Sequence, residues 1–169
     1  MRLVPTLALA TLLAAFATVV LGGYVSNIGA GLACPDWPTC HGQLVPPLGD
    51  PAVLAEYMHR LAAVLAGVFV LATLILVWWR RRSHTALVTA ITVGFGLLVL
   101  QVALGGLTVT SLLEPVVVTA HLGVATAFVA MMTWATVLAF RPSRPQGPLE
   151  SGKGNEEEAK GEHEDHDEA

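Results

Sequence analysis

The stretch Glu114-Pro115-Val116-Val117-Val118-Thr119-Ala120-His121, followed by apolar sequence as far as Phe140, decides the fold of this chain. An acid before a proline marks a helix start: the acid caps, and proline takes the first helical position, where no donor is lost. The apolar run at residues 116–140 then exceeds the roughly 20 residues of helix that cross a bilayer. One polar ring, His121, stands inside it. Upstream, Asp50-Pro51 and His59 repeat the arrangement ahead of the apolar run at residues 61–79. Two further runs, 3–21 and 86–106, end on Leu21-Gly22-Gly23 and Leu104-Gly105-Gly106. Helix end, loop, acid-proline start and histidine thus occur twice in the same order.

The fold class that follows is all-α: a transmembrane four-helix bundle made of two repeated helical hairpins, related by an axis along the membrane normal. Composition agrees. The 169 residues are 54% hydrophobic and only 13% charged, with a mean hydropathy of +0.63, which places the chain among membrane proteins. The net charge of -4 misleads, because nine of the thirteen acids lie beyond Phe140. Residues 1–140 carry five arginines against four acids, so no basic patch exists that would serve nucleic acid. Two segments are expected: a four-span domain at 1–140 and a disordered acidic cytoplasmic tail at 141–169, too polar to bury a core. His163 and His166 in that tail are read as solvated rather than as chelators.

Orientation follows from the placement of arginine. Arg2, Arg80 to Arg82, Arg141 and Arg144 fall on one side if the chain enters with its N-terminus inside. The expectation is a multi-pass cell-membrane protein with both termini cytoplasmic and the loops at 22–57 and 107–115 outside. The first span is read as a retained helix rather than a cleaved signal. Its apolar stretch continues past Ala15-Phe16-Ala17 to Leu21, beyond a typical signal core.

His59 lies eight residues past its proline and His121 six past its own, so both imidazoles sit about 9–12 Å into their helices. A neutral imidazole in hydrocarbon is costly unless hydrogen-bonded or ligated. Two at matching depth point to the axial ligands of one haem iron; the competing reading gives each a backbone carbonyl on a neighbouring helix. Glu56 stands one turn outward on the same face as His59, and two roles are open to it: proton relay beside a bound group, or an i,i+4 ion pair with Arg60. Arg60 is a candidate partner for haem propionates. Gln101, four residues before Gly105, either bridges helices or touches the ligand. The paired glycines admit something flat, or simply another backbone.

The most distinctive string lies in the first outer loop: Gly31-Leu32-Ala33-Cys34-Pro35-Asp36-Trp37-Pro38-Thr39-Cys40-His41-Gly42. Its cysteine spacing is neither that of a thioredoxin-type pair nor that of a zinc knuckle. On an oxidising face a disulfide between Cys34 and Cys40 is reasonable, as a structural bond or as a redox pair. At this string the chain resembles the haem A synthase family over residues 1–140. The likeness rests on the Gly-Leu-Ala-Cys-Pro-Asp-Trp-Pro loop, Glu56-x-x-His59-Arg60, Gln101-x-x-x-Gly105-Gly106 and His121.

The resemblance implies an oxidoreductase that converts haem O to haem A for terminal oxidases. A porphyrin methyl is hydroxylated in succession, and the hydrated product loses water to leave a formyl group. It implies His59 and His121 as ligands of haem iron (haem b or substrate haem O), Glu56 as the catalytic residue beside the iron, and Cys34 with Cys40 as the loop pair. Haem O synthase is the implied partner upstream. Two departures stand out. Members commonly have two four-helix halves with a histidine pair each, where this sequence has one; and many carry an arginine after the first helix, where this chain has Ser26. Self-association into a homo-oligomer is expected to restore multiple sites. The rival from another class is a bis-histidine b-type electron carrier, favoured because two axial imidazoles leave the iron no open position. A haem chaperone or quinone-linked subunit is a third reading. Glu56 and the cysteine loop are what a bare carrier would not need.

Overall fold

A computed structural model describes residues 3–141, so the tail, with His163 and His166, lies outside the described residues, as do Arg2 and Arg144. Among the described residues there are four helices, α1 (Leu3–Asn27), α2 (Pro51–Arg80), α3 (Thr85–Thr110) and α4 (Pro115–Phe140). All four are long and apolar enough to cross a membrane. Each packs on two neighbours in the cyclic order α1, α2, α3, α4, so α2 and α4 face each other across the diagonal.

The helix starts are those the acid-proline pairs encode. Asp50 accepts from the Ala52 N–H at 2.8 Å, and Glu114 from the N–H groups of Val116 and Val117 at 2.8 and 3.2 Å. Both prolines occupy the first turn. At 30 residues, α2 is about 45 Å long. It outruns its apolar stretch by ten residues at the loop end, which is where Glu56 and Arg60 stand. The Leu-Gly-Gly sequences do not terminate their helices; α1 runs on to Asn27 and α3 to Thr110. Gly29, with φ +68°, ends α1 instead: the N–H of Ala30 donates back to the Val25 carbonyl at 3.0 Å, the left-handed glycine stop of many helices.

Apolar packing is concentrated at the end of the bundle away from the long loop. Val70, Val77, Ile91, Phe128, Met132 and Ala135 are buried there together. Hydroxyls stitch this region across helices: those of Thr11 and Thr73 share a hydrogen bond of 2.8 Å, and Thr136 donates to the Ala8 carbonyl at 3.2 Å. Thr11→Val leaves the Thr73 hydroxyl without its interhelical partner and is expected to cost about 0.5–1 kcal/mol, the usual worth of such a bond in a membrane bundle. Unfolding in detergent measures it. The Thr73 hydroxyl keeps its bond to the Phe69 carbonyl at 2.7 Å, so replacing both threonines by valine should cost little more than the single change.

Candidate functional site: a histidine pair under a clamped loop

Between the packed end and the loop end lies a layer of different character. Residues 16–24 of α1, 57–65 of α2, 95–105 of α3 and 115–124 of α4 surround it, and none of them is buried. The stretch is about 13 Å deep. His59 enters it from α2 and His121 from α4, the two helices that face each other across the diagonal of the bundle.

Each ring is seated on a glycine of the preceding helix. A Cβ on Gly22 would lie 2.8 Å from Cε1 of His59, and one on Gly105 would lie 3.4 Å from Cε1 of His121. The glycine pairs therefore leave room for rings rather than marking helix ends. Of the second glycines, a Cβ on Gly106 would lie 3.1 Å from the indole of Trp37, while one on Gly23 would meet nothing.

Nδ1 of His59 lies 3.0 Å from the Thr18 carbonyl, so it is Nδ1 that carries the proton and the Nε2 lone pair is left unengaged. This carbonyl-anchored arrangement is what ligating histidines ordinarily show. The bond realises the carbonyl alternative and still leaves a ligand nitrogen, so the two readings of His59 do not exclude each other. His121 differs: its Nδ1 is buried without a partner, and its Nε2 lies 3.4 Å from the Gln101 amide nitrogen. That amide makes its better bond, 3.0 Å, to the His121 carbonyl oxygen, so Gln101 bridges α3 and α4. Among the described residues no three His, Cys, Asp or Glu side chains converge. The donor set is thus two imidazoles from opposed helices, which fits a planar metal complex ligated on both faces.

Above this layer lies the long loop. Cys34 and Cys40 are joined by a disulfide, both are buried, and a two-residue turn at His41 and Gly42, each with positive φ, follows the second. Arg60 holds the loop from α2. Its guanidinium donates to the carbonyls of Asp36 at 2.8 Å, Thr39 at 2.7 Å and Cys34 at 3.1 Å, and to Oε1 of Glu56 at 2.5 Å. Glu56 is almost wholly buried, and its Oε2 accepts from the Cys34 N–H at 2.8 Å. The i,i+4 ion pair therefore forms, but its larger work is to fasten the disulfide loop. Nothing local in the sequence tied Arg60 to carbonyls more than twenty residues upstream.

Asp36 organises the turn. Its carboxylate accepts from the Thr39 hydroxyl and from the N–H groups of Gly42 at 2.9 Å and His41 at 2.6 Å. The Thr39 hydroxyl, then the Gly42 N–H, hold this exposed carboxyl below its ordinary range. A depressed folded-state value means that the contribution is complete above the ordinary carboxylate range and disappears as pH falls through the lowered value. The loop should stay ordered through neutral and mildly acidic pH and loosen only below the usual carboxylate range. Trp37 fluorescence against pH measures this, and Asp36→Asn should flatten the transition.

Fold and site together define a four-span membrane protein with an intramembrane histidine pair beneath a disulfide-closed loop. The sequence pattern of the COX15-CtaA family, described as cytochrome oxidase assembly protein, matches residues 5–55 and 50–159. The chain belongs to that family. It is similar to the heme A synthase of Symbiobacterium thermophilum, 36% identical over 132 residues that cover 76% of this chain and 42% of that protein. It is 32% identical to the heme A synthase of Shouchella clausii over 141 residues, 80% of this chain and 46% of that protein. A protoheme IX farnesyltransferase of Halobacterium salinarum is 34% identical over 96 residues, 57% of this chain and 21% of that protein. The chain spans less than half the length of the heme A synthases it matches. No solved structure matches it.

Proposed function

We propose that this chain is an oxidoreductase that takes haem O within the membrane and oxidises a porphyrin methyl group to the formyl group of haem A. The carrying observation is the pair of imidazoles that α2 and α4 bring into a layer of the bundle where no residue as a whole is buried. The heme A synthase relatives support the same chemistry. When bound, the haem supplies a redox-active iron and, as haem O, the methyl group itself; haem b is the accessory species.

His59 and His121 are the proposed iron ligands. Thr18 fixes the tautomer of the first, and Gln101 lies against the second. Arg60 at the rim is placed for propionates, though four of its contacts already go to the loop and Glu56. Glu56, the proposed catalytic residue, reaches a substrate only by releasing Arg60 or the Cys34 N–H. The loop packs on the α3–α4 end of the bundle through Trp37 beside Gly106 and Leu113 beside Gly31.

We further infer a homo-oligomer, in which association of two copies would bring two histidine pairs together. Haem O synthase is the inferred supplier. That a protein named for haem farnesylation contains a segment similar to this chain supports the pairing. Both termini and the segment at 81–84 are assigned to the cytoplasm from the arginine cluster there, with residues 1–140 as the working domain. A reporter inserted after Ser83 should be active only on the cytoplasmic side.

Expression in cells that make haem O but not haem A tests the activity. Formyl haem in the extracted pigments supports the synthase. The b-type carrier remains a second reading because two imidazole ligands would leave a haem iron no open position, and unmodified haem bound to the chain would favour it. Loss of neither haem nor spectrum in the double variant His59→Ala/His121→Ala would remove the ligand assignment.

A further inference from the structure

The two imidazoles are not equivalent, and the difference bears on how a two-ligand site gains an open position. His59 is held against α1 along the Nδ1–Cε1 edge of its ring. Nδ1 bonds the Thr18 carbonyl at 3.0 Å, and the ring lies so close to α1 that a single carbon added at Gly22 would sit 2.8 Å from Cε1. His121 is held less tightly, because the Gln101 carbonyl, which stands to Gly105 as the Thr18 carbonyl stands to Gly22, lies near its ring without forming a well-directed hydrogen bond. Its Nδ1 is buried with no partner, and its seat on Gly105 leaves ordinary van der Waals space, 3.4 Å.

His121 has instead an alternative partner for its ligand nitrogen. The Gln101 amide nitrogen is 3.4 Å from Nε2 and is itself held by the His121 carbonyl oxygen at 3.0 Å. An Nε2 that accepts from this amide must carry its proton on Nδ1. Ligation of a metal through Nε2 demands the same tautomer. Passing the Nε2 lone pair between amide and iron therefore moves no proton and changes no charge. Oε1 of Gln101 is buried without a donor, so nothing pulls the amide away from the ring.

Resting on the haem reading above, we propose that His121 is the exchangeable ligand of the pair, that His59 is the permanent one, and that Gln101 is the positioning residue which receives the His121 imidazole when it leaves the iron. The arrangement gives a six-coordinate resting site a defined route to an open position on the α4 side.

Binding of carbon monoxide to the reduced, haem-loaded protein reads the open fraction directly, and low-temperature electron paramagnetic resonance of the oxidised protein reports the ligand set. Gln101→Leu removes the donor that holds the displaced ring. It should slow carbon monoxide association by about fivefold, the worth of one modest hydrogen bond, while the low-spin two-imidazole signal persists. His121→Ala should retain haem in a high-spin state and bind carbon monoxide without delay, and His59→Ala should lose the haem. An unchanged association rate in Gln101→Leu overturns the role of Gln101. Haem kept by His59→Ala and lost by His121→Ala overturns the assignment of the two histidines. If Gln101→Leu does not accumulate, the histidine pair of variants still decides that assignment, and Gln101→Met repeats the test with a chain of similar length. A wild-type protein without a two-imidazole signal would instead defeat the haem reading itself.

Discussion

Arg60→Ala is expected to free the disulfide loop from the bundle and to destabilise the protein by about 3–5 kcal/mol, the cost of stripping one partner from a buried charge pair. The reason lies in the number of groups that one guanidinium serves. Three carbonyl oxygens, of Cys34, Asp36 and Thr39, and the carboxylate of Glu56 all accept from it. Its loss leaves Glu56, only 4% exposed, with the Cys34 N–H as sole donor. Arg60→Lys keeps the charge but not the planar fork that spans several acceptors, so it should recover only part of the stability. Thermal unfolding in detergent gives the magnitude, and limited proteolysis between Cys34 and Asp50 shows whether the loop has lifted. Stability and cleavage indistinguishable from wild type would mean that the disulfide alone holds the loop.

That clamp marks where the sequence stops being legible. Spans, caps and histidine depth are local properties: hydrocarbon thickness fixes helix length, and an acid before proline fixes a start, so both are visible within a dozen residues. The ion pair between Glu56 and Arg60 is equally local at i,i+4. Its service to the loop is not, because backbone carbonyls carry no side-chain identity that a sequence displays. The same blindness hides the Thr18 carbonyl behind His59 and the His121 carbonyl behind Gln101. The glycine pairs were legible as places of close approach, but not as to what approaches. Where the apolar run of the third span faded, Gly105 and Gly106 looked like an end, whereas the helix continues to Thr110 because its last turn is held by its own threonines. Thr108 donates to the Gly105 carbonyl at 2.7 Å and Thr110 to the Gly106 carbonyl at 3.3 Å.

Gly22→Ala and Gly105→Ala should have opposite effects, though the sequence presents them as equivalents in a repeat. Each change removes a helical glycine, and alanine alone would favour the helix by about 0.5–1 kcal/mol. At Gly105 the new methyl meets His121 at 3.4 Å, a normal contact, so the variant should be at least as stable as wild type and keep its haem. At Gly22 the methyl would stand 2.8 Å from Cε1, 3.3 Å from Nδ1 and 3.4 Å from Nε2 of His59. A rigid ring has no flexible end to yield, so the imidazole must swing off its bond to Thr18 or α1 must part from α2. Either movement takes the proposed permanent ligand out of position, and haem content should fall to a small fraction of wild type. The haem-to-protein ratio and the midpoint of thermal unfolding, taken together, separate the causes. A stability loss in Gly22→Ala arises against the propensity gain, so it measures the ring clash; equal haem content in the two variants would show that α1 gives no support to His59.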